Sequence, residues 1–139
     1  MEDEDELMTA EQLSAMANVQ HAELVEGTLV AASPPGFGHG RIVAALARVL
    51  GNFANDHGVG DVCVESGFIL ERAPDTVRTP DLAFVRAERF VGAPPPGFAP
   101  FPPDLAIEIL SAADSLMTME DKVDEYLGAG TRAVWAVNP

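Results

Sequence analysis

The chain contains one cysteine, Cys63, so no internal disulfide can form and a reducing cytoplasm is the expected setting. No apolar run approaches the ~20 residues that a membrane span needs. The first residues, Glu2 to Glu6, are acidic, the reverse of a secretory signal. There is no second cysteine or dense histidine cluster to suggest zinc. The glycine-rich Gly36-Phe37-Gly38-His39-Gly40 lacks the Gly-Lys-Ser/Thr of a phosphate loop. Positive charge is also scarce. The net charge is −14, of which the acidic tail supplies five negatives, leaving −9 for the remainder. Nucleic-acid binding usually leaves a basic footprint, and this chain does not show one. Clustered carboxylates are, however, also how a divalent-cation site is built, because they repel until a cation joins them. The plainer reading of the charge is solubility. Lysine is the rarest charged residue: seven arginines accompany a single Lys122, whose position therefore needs an account.

What is present fits one α/β domain. Apolar residues make up 47%, enough for a core. Residues 1–8 read as a disordered acidic tail, followed by a single domain over 9–139. Thr9 and Gln12 form a capping-box signal for a short helix over 10–17. Glu23-Leu24-Val25 and Thr28-Leu29-Val30 flank Glu26-Gly27 and predict a hairpin, with Gly27 supplying a positive φ. After a loop at 33–38, Ile42, Val43, Leu46, Val49, Leu50 and Phe53 recur at helical spacing over 39–56, with Gly58 as the stop. Val62, Val64, Phe68 and Leu70 mark a strand, residues 71–79 a turn, and 81–85 a second strand that Pro80 can open. The six prolines and two glycines of 91–103 predict an exposed, mobile loop. Leu105, Ile107 and Ile109 mark a central strand. Residues 115–128 carry a helical pattern that Gly128 or Gly130 ends, and Arg132 to Val137 a last strand containing a core Trp135. This order implies a mixed sheet flanked by helices, with an N-terminal β-hairpin.

Chemistry concentrates in three residues. Strand alternation puts Asp81 on one face with Ala83 and Val85, and Glu108 on one face with Asp104 and Ala106. Glu108 sits mid-strand among apolar neighbours, where an unpaired charge costs several kcal/mol and calls for a cation, a metal or a raised pKa. Lys122 flanks the apolar stripe of the helix that follows, so a short connection lets it reach Glu108. Two carboxylates and a lysine are the parts for metal-assisted phosphodiester hydrolysis: oxygen ligands for Mg²⁺ or Mn²⁺, and a cation to position the water and offset charge. The same three residues also suit a buried salt bridge with no catalytic role.

Pro80-Asp81, Asp104-Leu-Ala-Ile-Glu108-Ile-Leu-Ser111, Asp121-Lys122-Val-Asp-Glu-Tyr126-Leu-Gly-Ala-Gly130 and Trp135-Ala-Val-Asn-Pro139 resemble the Uma-two family, a branch of the PD-(D/E)XK, restriction-endonuclease-like superfamily. Glu23-Leu-Val-Glu-Gly27 and Ser33-Pro34-Pro35 to His39 are similar to its N-terminal signature. The resemblance covers about residues 9–139. It implies a restriction-endonuclease-like core in which Asp81 and Glu108 bind metal and Lys122 is catalytic, having moved to the helix from the position where Leu110 stands. Such a shift is open to a long side chain, which brings its ammonium to one point from either element. The resemblance further implies DNA as substrate and C-terminal strands that this chain lacks, and duplex cleavage by one site per chain suggests a homodimer. The first core helix of many superfamily members carries an acidic residue; residues 40–55 have none, and Glu23 or His39 are the candidate accessories. Arg41, Arg48, Arg78 and Arg86 are candidates for a DNA-facing surface. Glu65, His21 and His57 read as surface residues and Cys63 as a small core residue. The alternative is a catalytically inactive, nuclease-fold interaction module.

Overall fold

The computed structural model describes residues 6–16, 22–32, 34–89, 92–111 and 116–139. His21, Ser33, most of the acidic tail and the first residue of the predicted 115–128 helix lie outside these. Within them, helix α1 spans Ala10–Ser14. The Thr9 hydroxyl accepts from the Gln12 N–H at 3.2 Å and the Gln12 side chain accepts from the Thr9 N–H at 2.8 Å, so the capping box forms as the sequence predicts. Strands β1 (Ala22–Val25) and β2 (Thr28–Ala31) make the expected hairpin. Its turn places both Glu26 (φ 48°) and Gly27 (φ 80°) in the left-handed region. Met8 donates its N–H to the Gly27 carbonyl at 2.8 Å, so the chain is tied to this turn from residue 8.

Helix α2 runs from Phe37 to His57 and ends on Gly58, whose φ of 61° supplies the left-handed cap. It starts one turn's half earlier than its apolar spacing indicates, because Phe37 and Gly38 add length without burying anything. The single strand expected over 62–70 is two strands, β3 (Gly60–Val64) and β4 (Phe68–Glu71), which belong to different sheets. The break comes at Glu65, whose φ of 50° turns the chain out of the extended region. The expected 71–79 turn contains a third strand, β5 (Thr76–Arg78). Strands β6 (Leu82–Arg86) and β7 (Leu105–Ile109), helix α3 (Leu116–Ala129) and strand β8 (Ala133–Val137) complete the order.

One sheet has the order β2-β1-β5-β4 and is antiparallel; the other has the order β3-β6-β7-β8 and is mixed, with β8 parallel to β7. The two faces of the mixed sheet take different helices. Leu82, Ile107 and Ile109 pack with Val43 of α2, while Ala83, Val85 and Ala106 pack with Tyr126 of α3 and with Phe68 and Leu70 of β4. The strand alternation read from the sequence thus sorts residues correctly. In the other sheet Leu24 and Val77 are fully buried against Ala10 and Leu13. The loop expected to be exposed and mobile is anchored: Pro103 is fully buried, and Ala99 exchanges backbone hydrogen bonds with Gly67 and Ile69 at 3.0 and 2.9 Å. Phe98 lies where a Cβ on Gly67 would fall, so glycine is required there by close approach. Trp135, expected in the core, is 44% exposed on the edge strand. Among the described residues no helix is long and apolar enough to cross a membrane.

Candidate active site

Extending the β6–β7 register (Leu82 opposite Ile107) by one residue sets Asp81 opposite Glu108. The two carboxylates thus meet where both strands border a cleft of about 550 Å³, which Glu23, His39, Glu65, Arg78 and Lys122 also line. Asp81 is held at both oxygens. Oδ2 accepts the Ile109 N–H at 2.7 Å, and Oδ1 stands 3.0 Å from His39 Nε2. His39 comes from the first turn of α2, on the helix side that carries Val43 and Leu46 toward the sheet. Its Nδ1 is buried without a hydrogen-bond partner among the described residues.

Glu108 is almost fully enclosed. Tyr126 Oη donates to its Oε1 at 3.0 Å, and Lys122 Nζ stands 3.9 Å from its Oε2. Lys122 and Tyr126 are four residues apart on α3 and therefore share a face, so one helix delivers both partners. Burial pushes the Glu108 carboxyl up to about 8; the Lys122 charge works against this, while the Glu23 and Asp81 charges add to it. Burial likewise raises the Tyr126 phenol, helped by the adjacent Glu108.

Glu23 joins from the other sheet. Its Oε1 lies 4.0 Å from Lys122 Nζ and accepts from Arg78 Nη1 at 3.3 Å, and its Oε2 accepts the Thr79 N–H at 2.7 Å. Arg78, itself buried, turns its Nε and Nη2 to the two oxygens of Glu125 on α3. A continuous ionic chain therefore runs Glu125–Arg78–Glu23–Lys122–Glu108 and ties β5, β1, α3 and β7 together.

All five residues singled out from the sequence, Asp81, Glu108, Lys122, Glu23 and His39, come to this one cleft. Glu65 is exposed, as expected, yet it also lines the cleft. His57 is exposed and stacks on Phe53. Cys63 is partly buried against the core, and burial raises its thiol pKa. Tyr126 escaped the sequence reading as a site residue, and Arg78, considered there only for a DNA-facing surface, is buried beside the cleft instead. Tyr126 had a signal, its i+4 spacing from Lys122; Arg78 had none, because only the pairing of β1 with β5 brings it to Glu23. Among the described residues no group of three or more His, Cys, Asp and Glu stands ready to hold a metal ion. Asp81 and Glu108 nevertheless offer carboxyl oxygens to the same cleft, the donor type that a hard divalent cation takes.

Comparison with known proteins agrees with this architecture. A search of curated proteins finds no match. The crystal structure of a protein from Anabaena variabilis, described as "a putative nuclease belonging to DUF820", superposes with a TM-score of 0.80 at 20% identity, covering 95% of this chain and 74% of that one. The family model named Uma2, described as "Putative restriction endonuclease", matches residues 9–139.

Proposed function

Because the chain belongs to the Uma2 family, we propose that it is a divalent-metal-dependent endonuclease that hydrolyses phosphodiester bonds in DNA. The observation that carries this reading is the convergence of Asp81, Glu108 and Lys122, from three separate elements, on one cleft. Asp81 and Glu108 would hold Mg²⁺ or Mn²⁺, which when bound polarises the phosphate and lowers the pKa of the attacking water. Tyr126 occupies one oxygen of Glu108 and leaves Oε2 on the side of Lys122. His39 and the Ile109 N–H fix Asp81 before any ligand arrives. Lys122 orients the water and offsets the negative charge that builds on the phosphate oxygens. Glu23 and His39 act as accessories, one placing Lys122 and the other Asp81. Cutting both strands of a duplex with one site per chain calls for a homodimer.

Titration of Mn²⁺ by calorimetry into the wild type, Asp81→Ala and Glu108→Ala, followed by plasmid cleavage, tests the reading. Metal binding and cleavage in the wild type, both lost in the variants, support it. Full cleavage by either folded variant would sink it. One observation favours a second reading, an inactive nuclease-fold interaction module: the lysine is already flanked by two carboxylates, as in a purely structural ion network. A folded wild type that binds no Mn²⁺ would select that reading.

A further inference from the structure

The chain carries no Asp or Glu between Gly27 and Asn55, although 22 of its 139 residues are acidic. Helix α2 occupies most of this acid-free stretch. At 3.6 residues per turn, Phe37, Arg41, Arg48, Asn52 and Asn55 fall within one narrow stripe, opposite the side that buries Val43 and Ala54. All five are exposed. Phe37 is 84% exposed, a costly placement for a phenyl ring, and the Arg41 guanidinium lies over it at 6.0 Å.

Of the chain's seven arginines, four are paired with carboxylates, and Arg132, like the two of this stripe, has no such pair among the described residues. Arg72 pairs with Glu11 and Asp75, Arg78 with Glu23 and Glu125, Arg86 with Glu88, and Arg89 with Asp104. Arg41 and Arg48 have no carboxylate partner among the described residues. They stand about 10 Å apart along the helix axis. The stripe begins at the site itself, because Gly36, adjacent to Phe37, lines the cleft together with His39.

From this we infer that the outer face of α2 is a track for single-stranded nucleic acid. Phe37 is the stacking platform for an unpaired base at the cleft mouth, and Arg41 and Arg48 are the contacts to successive parts of the phosphate backbone. Base–aromatic stacking combined with backbone-tracking cations is how single strands are held without sequence preference. Two free cations on an acid-free face offer the charge complementarity that the chain as a whole lacks. The inference rests on the nuclease reading for the bond that is cut, and adds the substrate class: DNA with an unpaired segment beside the scissile phosphate.

Fluorescence anisotropy tests it, using a short fluorescein-labelled oligothymidylate and a duplex of the same length, in EDTA so that binding is read apart from cleavage. The wild type is expected to prefer the single strand. Phe37→Ala should weaken single-strand binding about tenfold or more and leave the weaker duplex binding nearly unchanged. Arg41→Gln/Arg48→Gln should lower the slope of log K on log salt by about 1.4, near 0.7 for each lost phosphate contact. These exposed substitutions leave the core untouched, which circular dichroism verifies. Variants that bind as the wild type does, or a wild type that binds neither probe or prefers the duplex, would overturn the inference. Cleavage of plasmid by wild type and variants alike would overturn it while leaving the nuclease reading standing. The expected binding pattern without any cleavage would uphold the track and remove the nuclease.

Discussion

Tyr126 Oη donates to Glu108 Oε1 across 3.0 Å, and both residues are shut away from solvent. A carboxyl group held this way cannot rotate freely, so its second oxygen is committed to the Lys122 side. Tyr126→Phe removes the donor and keeps the ring in the core. It should destabilise the protein by about 1–3 kcal/mol, the cost of a buried acceptor left unsatisfied, and lower cleavage without abolishing it. Urea unfolding and plasmid cleavage check the two parts; unchanged stability would mean that the hydrogen bond contributes nothing net.

The Glu108 carboxyl keeps its proton up to about 8 in the metal-free fold, against 4.5 ordinarily, chiefly because burial disfavours the charge. Between these two values the folded chain binds a proton that the unfolded chain has released. Stability therefore falls as pH rises through that window, and this contribution is flat below it. Urea unfolding in EDTA across the window should show this slope in the wild type and lose it in Glu108→Gln. The same slope in both proteins would remove burial of Glu108 as its source.

Lys122 is the cation shared by Glu108 and Glu23, at 3.9 and 4.0 Å. Lys122→Met removes the charge that draws the Glu108 carboxyl downward, so its stability loss should grow as pH rises past about 8. If the lysine positions the water, single-turnover cleavage should also fall by about 10²–10⁴. A variant that loses stability but cleaves at the wild-type rate would reduce Lys122 to a counter-ion.

Arg78 is buried between Glu23 and Glu125, which it meets through different nitrogens of its planar fork. Arg78→Met leaves those charges uncompensated and should cost about 3–5 kcal/mol. Arg78→Lys should rescue little, since a single ammonium cannot reproduce the two-sided geometry. Thermal denaturation of the two variants decides; near-wild-type stability of Arg78→Lys would show that charge alone suffices there.

Asp75 ties α1 to the first sheet. Its carboxylate accepts the Ala10 N–H at 2.8 Å and the Ala73 N–H at 3.2 Å, and these bonds with the Arg72 charge hold its pKa below the usual 3.8. The folded state thus favours the charged form. The stability this gives is fully present above 3.8 and is lost as pH falls through the lowered value. Asp75→Asn should be less stable than the wild type at neutral pH, with the gap narrowing in acid. A gap independent of pH would assign the effect to hydrogen bonding alone.

The legible parts of the fold were those set by local chemistry. The capping box at Thr9, the 3.6-residue period of α2, the left-handed turn at Gly27 and the alternation around Glu108 each state their structure within a few residues. The illegible parts depend on distant pairing. Strand β5 is three residues long and is held by Leu24 opposite Val77, a partner far back in the chain. The break between β3 and β4 turns on Glu65 at positive φ, a conformation that its residue type does not announce. The site divides in the same way. Lys122 stood out as the sole lysine, on the helix after the Glu108 strand. Arg78 looked like one arginine among seven, and of the four arginines considered for a DNA-facing surface only Arg41 and Arg48 share an exposed face.

Residues 79–81 alone connect β5 of one sheet to β6 of the other, with Arg78 at one end and Asp81 at the other. Glu23 belongs to the first sheet, and Asp81 and Glu108 to the second. The cleft is accordingly a seam, and its geometry measures how the two sheets are set against each other. A change in the hairpin or in the α1 anchor, far from any reacting atom, alters that setting and with it the distance from Glu23 to Lys122. Loss of function in such remote variants would be a mechanical fault rather than a chemical one, and a partner gripping either sheet would gain a lever on the site without touching it.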